Sequence, residues 1–181
     1  MQLRGQYVLL RPLQREDLER RIDMVNDPEV QRLTIGMPVD ENTEFDVLSW
    51  FQLVSDDPHS EQWAIVDLAA DEYIGDIDLH SIRVMGNEAW ISPMFGTSKA
   101  RSNKALRLEA IGLIVDYAFR EKNVEAVRID IPDADEQGIE ILKELGFELE
   151  EAYEFDMFTG AQTLTYVVTP ANFQGDIARS D

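Results

Sequence analysis

Cysteine is missing from all 181 residues. Its absence removes disulfides, thiolate nucleophiles and zinc–thiolate sites together. Histidine is almost missing as well: His59 and His80 are the only two, too few for a His-rich metal centre, so no metal is expected. No apolar run approaches the roughly 20 residues needed to cross a bilayer. The opening "MQLRGQYVLLRPL" is too short and too interrupted for a signal peptide, so a cytoplasmic protein without membrane contact is expected. Positive charge is scarce too, with 16 Lys and Arg against 36 Asp and Glu and a net charge of −20. Nucleic acid is thereby disfavoured as a partner, because neutralising phosphates requires a basic face. Two readings of the acidity stand. It is either a solvated surface suited to a high-salt cytoplasm or a field that attracts cationic amines.

What is present describes an ordinary soluble fold, 44% hydrophobic and 29% charged. The length suits one domain, read here as 1–171 with a loose tail over 172–181. "QYVLLRPL" (6–13) reads as a strand closed by proline. "REDLERRIDMVND" (15–27) has helical spacing and stops at Pro28. "TEFDVLSWFQLVSDD" (43–57) is a second helix, capped by Thr43 or Asn42. Strands follow at 61–69, 72–84 and 88–96, separated by polar turns as antiparallel hairpins require. The strongest helix spans 104–123, capped by Asn103 or Ser102. A strand at 126–133, a helix at 135–146 stopped by Gly146, and a hairpin around "FTGAQ" complete the chain. The order β-α-α-β-β-β-α-β-α-β-β predicts an α/β or α+β layered fold. The 104–123 helix should cross over between a parallel pair, 88–96 and 126–133.

The segment "TSKARSNKALRLEA" (97–110) runs against the chain's overall sign. Lys99, Arg101, Lys104 and Arg107 fall within nine residues at the start of the strongest helix. Cations there oppose the helix dipole, whereas the unpaired N–H groups of a helix start bind phosphate. The cluster therefore points to an anionic ligand. The alternative is a solvated helix start paired with acids such as Glu109. Elsewhere, His80 has a side chain whose usual pKa, about 6.5, suits a general base. Asp76 and Asp78 share one face of a strand; they either receive a cationic amine or face solvent.

The order of elements, with "VLLRPLQREDLE", "NDPEVQRLT", "YIGDIDLHSI", "LEAIGLIVDYAF" and "ILKELGFELE" in sequence, resembles the GNAT superfamily of acyl-CoA-dependent N-acyltransferases. The likeness spans nearly the whole chain and is strongest to the branch of ribosomal-protein N-terminal and spermidine acetyltransferases. It implies a twisted, mostly antiparallel sheet of about seven strands, helices on both faces and a splayed parallel pair. It also implies acetyl-CoA as co-substrate and a primary amine acceptor: a small molecule, a polyamine or a protein N-terminus. The family's pyrophosphate loop, Q/R-x-x-G-x-G/A, falls here on Ser102, Asn103, Lys104, Ala105, Leu106 and Arg107, with none of its three signature positions kept. Arg101 and Met94 join these as implied coenzyme-binding residues, and side-chain cations would replace the lost glycines. The family's late-helix Asn and its proton-donating Tyr correspond to Asp135 and Leu142, and leucine donates no proton. Candidate catalytic residues are therefore His80, Glu88 (placed at a turn) and Asp135. Trp50, Phe51, Asp76 and Asp78 are the candidate acceptor residues. These departures leave a second reading, a degenerate GNAT-like binding or regulatory module. A homodimer is compatible with both readings.

Overall fold

The computed structural model describes residues 1–36, 39–156 and 161–175. Short β1 (Leu3–Arg4) and β2 (Val8–Pro12) precede a 3-10 turn at Arg15–Asp17 and α1 (Leu18–Val25). Helices α2 (Pro28–Thr34) and α3 (Glu44–Ser55) follow, then β3 (Glu61–Asp67), β4 (Glu72–His80) and β5 (Glu88–Phe95). Next come α4 (Ser98–Ser102), α5 (Lys104–Arg120), β6 (Ala126–Pro132), α6 (Glu136–Glu144), β7 (Glu148–Asp156) and β8 (Ala161–Val168). The strands form one sheet in the order β1-β2-β3-β4-β5-β6-β8-β7, antiparallel throughout except for β5 and β6. The sheet has eight strands against about seven expected, because the 6–13 run is preceded by the two-residue β1, across a turn at Gly5.

Alternation along the strands divides the core. Trp63, Ile65, Ile77, Leu79, Ala89 and Ile91 face α5 and α6, together with Leu113, Ile114 and Ile141. Ala64, Tyr73 and Met94 face the other way, onto α1–α3, with Leu18, Met24, Val30 and Val47. Helices thus cover both faces. No helix among the described residues is long and apolar enough to cross a membrane.

Two helices escape the sequence reading. Pro28 does not end a helix; it opens α2, because Asp27 accepts the Glu29 N–H as N-cap and proline suits the first helical position. Thr97 likewise caps α4, accepting the Ala100 N–H at 3.2 Å. The expected caps hold elsewhere: Thr43 forms a capping box with Asp46 at α3, and Asn103 caps α5 through the Leu106 N–H. Gly146, at φ +89, terminates α6 by donating to the Lys143 carbonyl, while Phe147 N–H returns to Leu142. Gly75 is required for another reason: a Cβ there would stand 2.0 Å from the Met94 carbonyl oxygen.

β7 and β8 pair antiparallel as the expected closing hairpin requires; its turn residues, 157–160, lie outside the described residues, as do 176–181. The first residues of the segment read as a loose tail pack on the fold. Phe173 meets Phe119 edge-on at 5.7 Å, and Gln174 N–H donates to the Leu145 carbonyl.

Glu109 is not a partner of the basic cluster. Its buried carboxylate accepts the backbone N–H groups of Gln6, Tyr7 and Val8 at 2.6, 2.7 and 2.8 Å, fixing the turn between β1 and β2 on α5. Glu109→Ala removes the acceptor of three N–H groups, of which that of Val8 is buried, and urea unfolding is expected to register a loss of about 2 kcal/mol. Glu109→Gln, which keeps one acceptor oxygen, should lose less.

Candidate active site

The parallel pairing of β5 with β6 is brief. It runs through Glu88↔Ala126, Ala89↔Val127 and Trp90↔Arg128, although β5 continues to Phe95 and β6 to Pro132. Beyond Trp90 the strands diverge, as expected of a splayed pair, and a cavity of about 430 Å³ opens between them. Ser92, Pro93, Met94 and Phe95 line it from β5, and Ile129, Asp130 and Ile131 from β6. Arg21 reaches in from α1, and Arg101, Arg107 and Leu142 from α4, α5 and α6.

Four carboxylates line this space, and three are already engaged. Asp76 Oδ2 accepts Arg21 Nε at 2.7 Å and the Tyr73 hydroxyl at 2.8 Å, while the Trp50 ring lies 3.6 Å under the Arg21 guanidinium. Burial and the neighbouring Asp76 carboxylate raise the Tyr73 pKa, so Tyr73 remains a neutral donor. Asp130 accepts the hydroxyls of Thr165 and Tyr153 at 2.5 and 3.2 Å. Asp135 is held by Arg107 at 2.5 Å and caps α6 through the Gly138 N–H. Asp78 differs: its Oδ1 is buried with no hydrogen-bond partner among the described residues. Burial, reinforced by the Asp76 carboxylate, pushes its pKa up to about 7.

The basic cluster divides into two pairs. Arg107 is buried, 4% exposed, and its guanidinium spans Asp135, Gln137 Oε1 and the Arg101 carbonyl. It fastens the start of α5 to the start of α6 and still lines the cavity, with its Nε left without a partner among the described residues. Arg101 is bound to the Gly96 carbonyl at 3.1 Å and to Asp27 at 3.4 Å. Lys99 and Lys104 are exposed, pairing with Asp67 at 2.8 Å and with Glu144 at 2.9 Å. The Lys99 ammonium holds the Asp67 carboxyl below its usual pKa. Ser102 bonds back to the Ser98 and Lys99 carbonyls, ending α4. Ala105 is exposed, and the side chain of Leu106 belongs to the core. Asn103 satisfies the N–H groups of Leu106 and Arg107, and those of Lys104 and Ala105 in the first turn of α5 have no partner among the described residues.

Of the other expected residues, Met94 lies buried on the cavity wall. Trp50 and Phe51 pack against the α1–α3 core instead of lining the cavity, although Trp50 supports Arg21. His80 also stands off the cavity wall, its Nε2 2.9 Å from the Ser92 hydroxyl and its Nδ1 3.1 Å from that of Ser81. Burial lowers its pKa, favouring the neutral ring. Glu88 is in a strand, not a turn; it opens β5 and is ion-paired with Arg128, at the end away from the cavity. Asp135, as described, is fully engaged. Sequence reasoning missed Arg21, Tyr73 and Asp130. Nothing in "LERRIDMV" marks Arg21 as the partner of a residue 55 positions away.

A mostly antiparallel sheet whose central parallel pair splays over a helix start defines an acyltransferase architecture. The acetyltransferase (GNAT) domain profile matches residues 8–148, and the chain belongs to that family. No curated protein matches the sequence. Spermidine N-acetyltransferase from Vibrio cholerae, solved with CoA and spermine, is similar in structure. It has a TM-score of 0.80 and 16% identity over 93% of this chain and 98% of that one. A GNAT acetyltransferase from Bacillus anthracis gives 0.74 and 16%, covering 93% and 98% of the two chains. A domain from Methanocaldococcus jannaschii gives 0.74 and 13%, covering 90% and 97%.

The four cations should separate in denaturation experiments. Arg107→Ala leaves Asp135 buried without its cation, and urea unfolding is expected to show a loss of about 3–5 kcal/mol. Lys104→Ala, which removes a solvent-exposed pair, should leave the unfolding midpoint nearly unchanged, whereas Lys99→Ala leaves the buried Asp67 carboxylate without its cation and should lower the midpoint measurably.

Proposed function

We propose that the chain transfers an acetyl group from acetyl-CoA to the primary amine of a small cationic molecule, with polyamines as the favoured class. The observation that carries this reading is the early end of the β5–β6 pairing, which leaves the β5 edge from Ile91 to Phe95 without a β6 partner beside the cavity. An extended amide-bearing arm finds backbone partners along such an edge. The unfilled N–H groups of Lys104 and Ala105, with no acid in the first turn of α5, suit a pyrophosphate at the arm's far end. These features fit coenzyme A, whose thioester supplies the activated acyl group.

Phosphate binding then rests on backbone donors and on the two exposed cations. Lys104 exchanges its exposed Glu144 carboxylate for a phosphate at little cost, since surface pairs contribute little, while the Lys99 ammonium, itself exposed, adds positive charge from its seat on the buried Asp67 carboxylate. Arg107 and Arg101 shape the site by holding α4, α5 and α6 together. The loss of the glycine pattern is therefore compatible with an enzyme. A bound arm positions the acyl group and the acceptor near one another, and Leu142 on the wall excludes water without exchanging protons.

The acidic cavity wall and the net charge of −20 favour a cationic acceptor. The similar Vibrio cholerae protein was solved with spermine. Thiol release offers a clean assay, because a chain without cysteine contributes no background to a thiol reagent. Spermidine, spermine and small monoamines should release coenzyme A from acetyl-CoA, and acidic peptides should not. In calorimetry, Lys99→Ala combined with Lys104→Ala should weaken acetyl-CoA binding by about three- to tenfold and flatten its salt dependence. No heat at millimolar acetyl-CoA would overturn the function.

A further inference from the structure

We propose that Asp78 is the general base that takes the proton from the acceptor ammonium. This assignment rests on the acyl-transfer reading above. It follows from elimination within the cavity. Asp76 is held by Arg21 and Tyr73, Asp130 by Thr165 and Tyr153, and Asp135 by Arg107 and the Gly138 N–H. His80 has both ring nitrogens engaged by hydroxyls, and Glu88 is tied to Arg128. Among the described residues, Asp78 alone of the cavity carboxylates keeps a buried oxygen with no partner. It stands opposite Ser92 on β5, on the stretch beyond Trp90 where β6 has left the strand.

An unpartnered buried carboxylate costs stability, so a fold that keeps one at its cavity holds it for a ligand that completes it. An ammonium is such a ligand. The acceptor enters as R–NH₃⁺ and gives one proton to Asp78, which becomes the carboxylic acid. The freed nitrogen lone pair forms the C–N bond at the thioester carbonyl, the C–S bond breaks, and its electron pair leaves on sulfur. The second proton lost by nitrogen ends on that sulfur, giving the free thiol, and Asp78 returns its own proton to solvent.

The surroundings tune the base. Charged groups on the cavity wall are Arg21 from α1, Asp76 from β4, Arg101 from α4, Arg107 from α5, Asp130 from β6 and Asp135 before α6. The residues opposite Asp78, Gln62 on β3 and Ser92 on β5, carry no charge. Arg101 and Arg107 face their own carboxylates. Asp76, paired with Arg21, is the neighbouring carboxylate that disfavours a second charge beside it. A base poised near neutrality follows, suited to accept a proton at physiological pH.

The test measures thiol release against pH for wild type and Asp78→Asn, with two acceptors of different ammonium pKa. Wild-type kcat should rise through an inflection at about pH 7 that stays in place for both acceptors. Asp78→Asn should lose that inflection and about 10²–10³-fold in kcat, while calorimetric affinity for acetyl-CoA changes less than twofold. Thermal melting checks the fold of the variant. A raised carboxyl pKa means that the folded state binds this proton more tightly than the unfolded chain does. Its contribution to stability therefore falls as pH rises from about 4 to about 7, and Asp78→Asn should gain more melting temperature at pH 8 than at pH 5. A variant with wild-type kcat and pH profile would overturn the base while leaving the transferase intact. So would a wild-type inflection that moves with the acceptor's pKa, a result that does not depend on the variant folding. A wild-type protein that binds no acetyl-CoA overturns the transferase and the base together.

Discussion

The cavity exists because a parallel strand pair lasts only three residues. A helix of 17 residues connects β5 to β6, and a right-handed crossover of that kind is the usual way to bring two strands into parallel register. Once joined at Glu88–Trp90, the strands separate, because each is claimed by an antiparallel neighbour on its other side. β5 follows β4 in register as far as Phe95, and β6 follows β8 as far as Pro132. Two well-paired half-sheets thus hold one gap open without a hole in either. Everything with a chemical role hangs on that gap: the edge of β5, the start of α5, and the carboxylates that β4 and β6 project toward it.

The opening paradox of a basic cluster in an acidic chain resolves by burial. A cation whose carboxylate is sealed from water is part of the frame, since removing either partner leaves a charge with no solvent. Arg107 and Asp135 are of this kind, and their pairing joins two helix starts that would otherwise diverge with the half-sheets. A cation paired in water gives up its carboxylate readily. Lys104, paired with the exposed Glu144, belongs to that class, and Lys99 lies between the two, an exposed ammonium on the buried Asp67 carboxylate. One stretch of sequence therefore supplies both the clamp and the exposed charges, and only depth distinguishes them.

Much of this was legible in the chain. The 104–123 periodicity matches α5, and the polar turns mark the β3–β4–β5 meander. The spacing of Asp76 and Asp78 placed both on one face. The rest depends on distances that local pattern does not encode. Pro28 reads equally as a stop or as a first helical residue, and only the Asp27 cap decides. Asp76 and Asp78 look equivalent until Arg21 and Tyr73 select one of them. Arg107 offered a clue that its charge obscured: it is spaced with Ala110, Ile111 and Ile114, the inward face of α5.

The Glu109 contact bears on how the chain comes together in time. Residues 6–8 deliver their N–H groups to an acceptor more than 100 positions downstream. On a ribosome, that acceptor does not exist until well over half the chain has emerged, and it becomes usable only once α5 has formed and docked. The first strand made is thus the one that waits longest for its anchor. A sheet assembled from such distant contacts carries a high contact order and folds slowly for its size. β1 stays the outer strand of the finished sheet, and the acidic charge of the whole chain then has a further use, holding copies apart at that open edge.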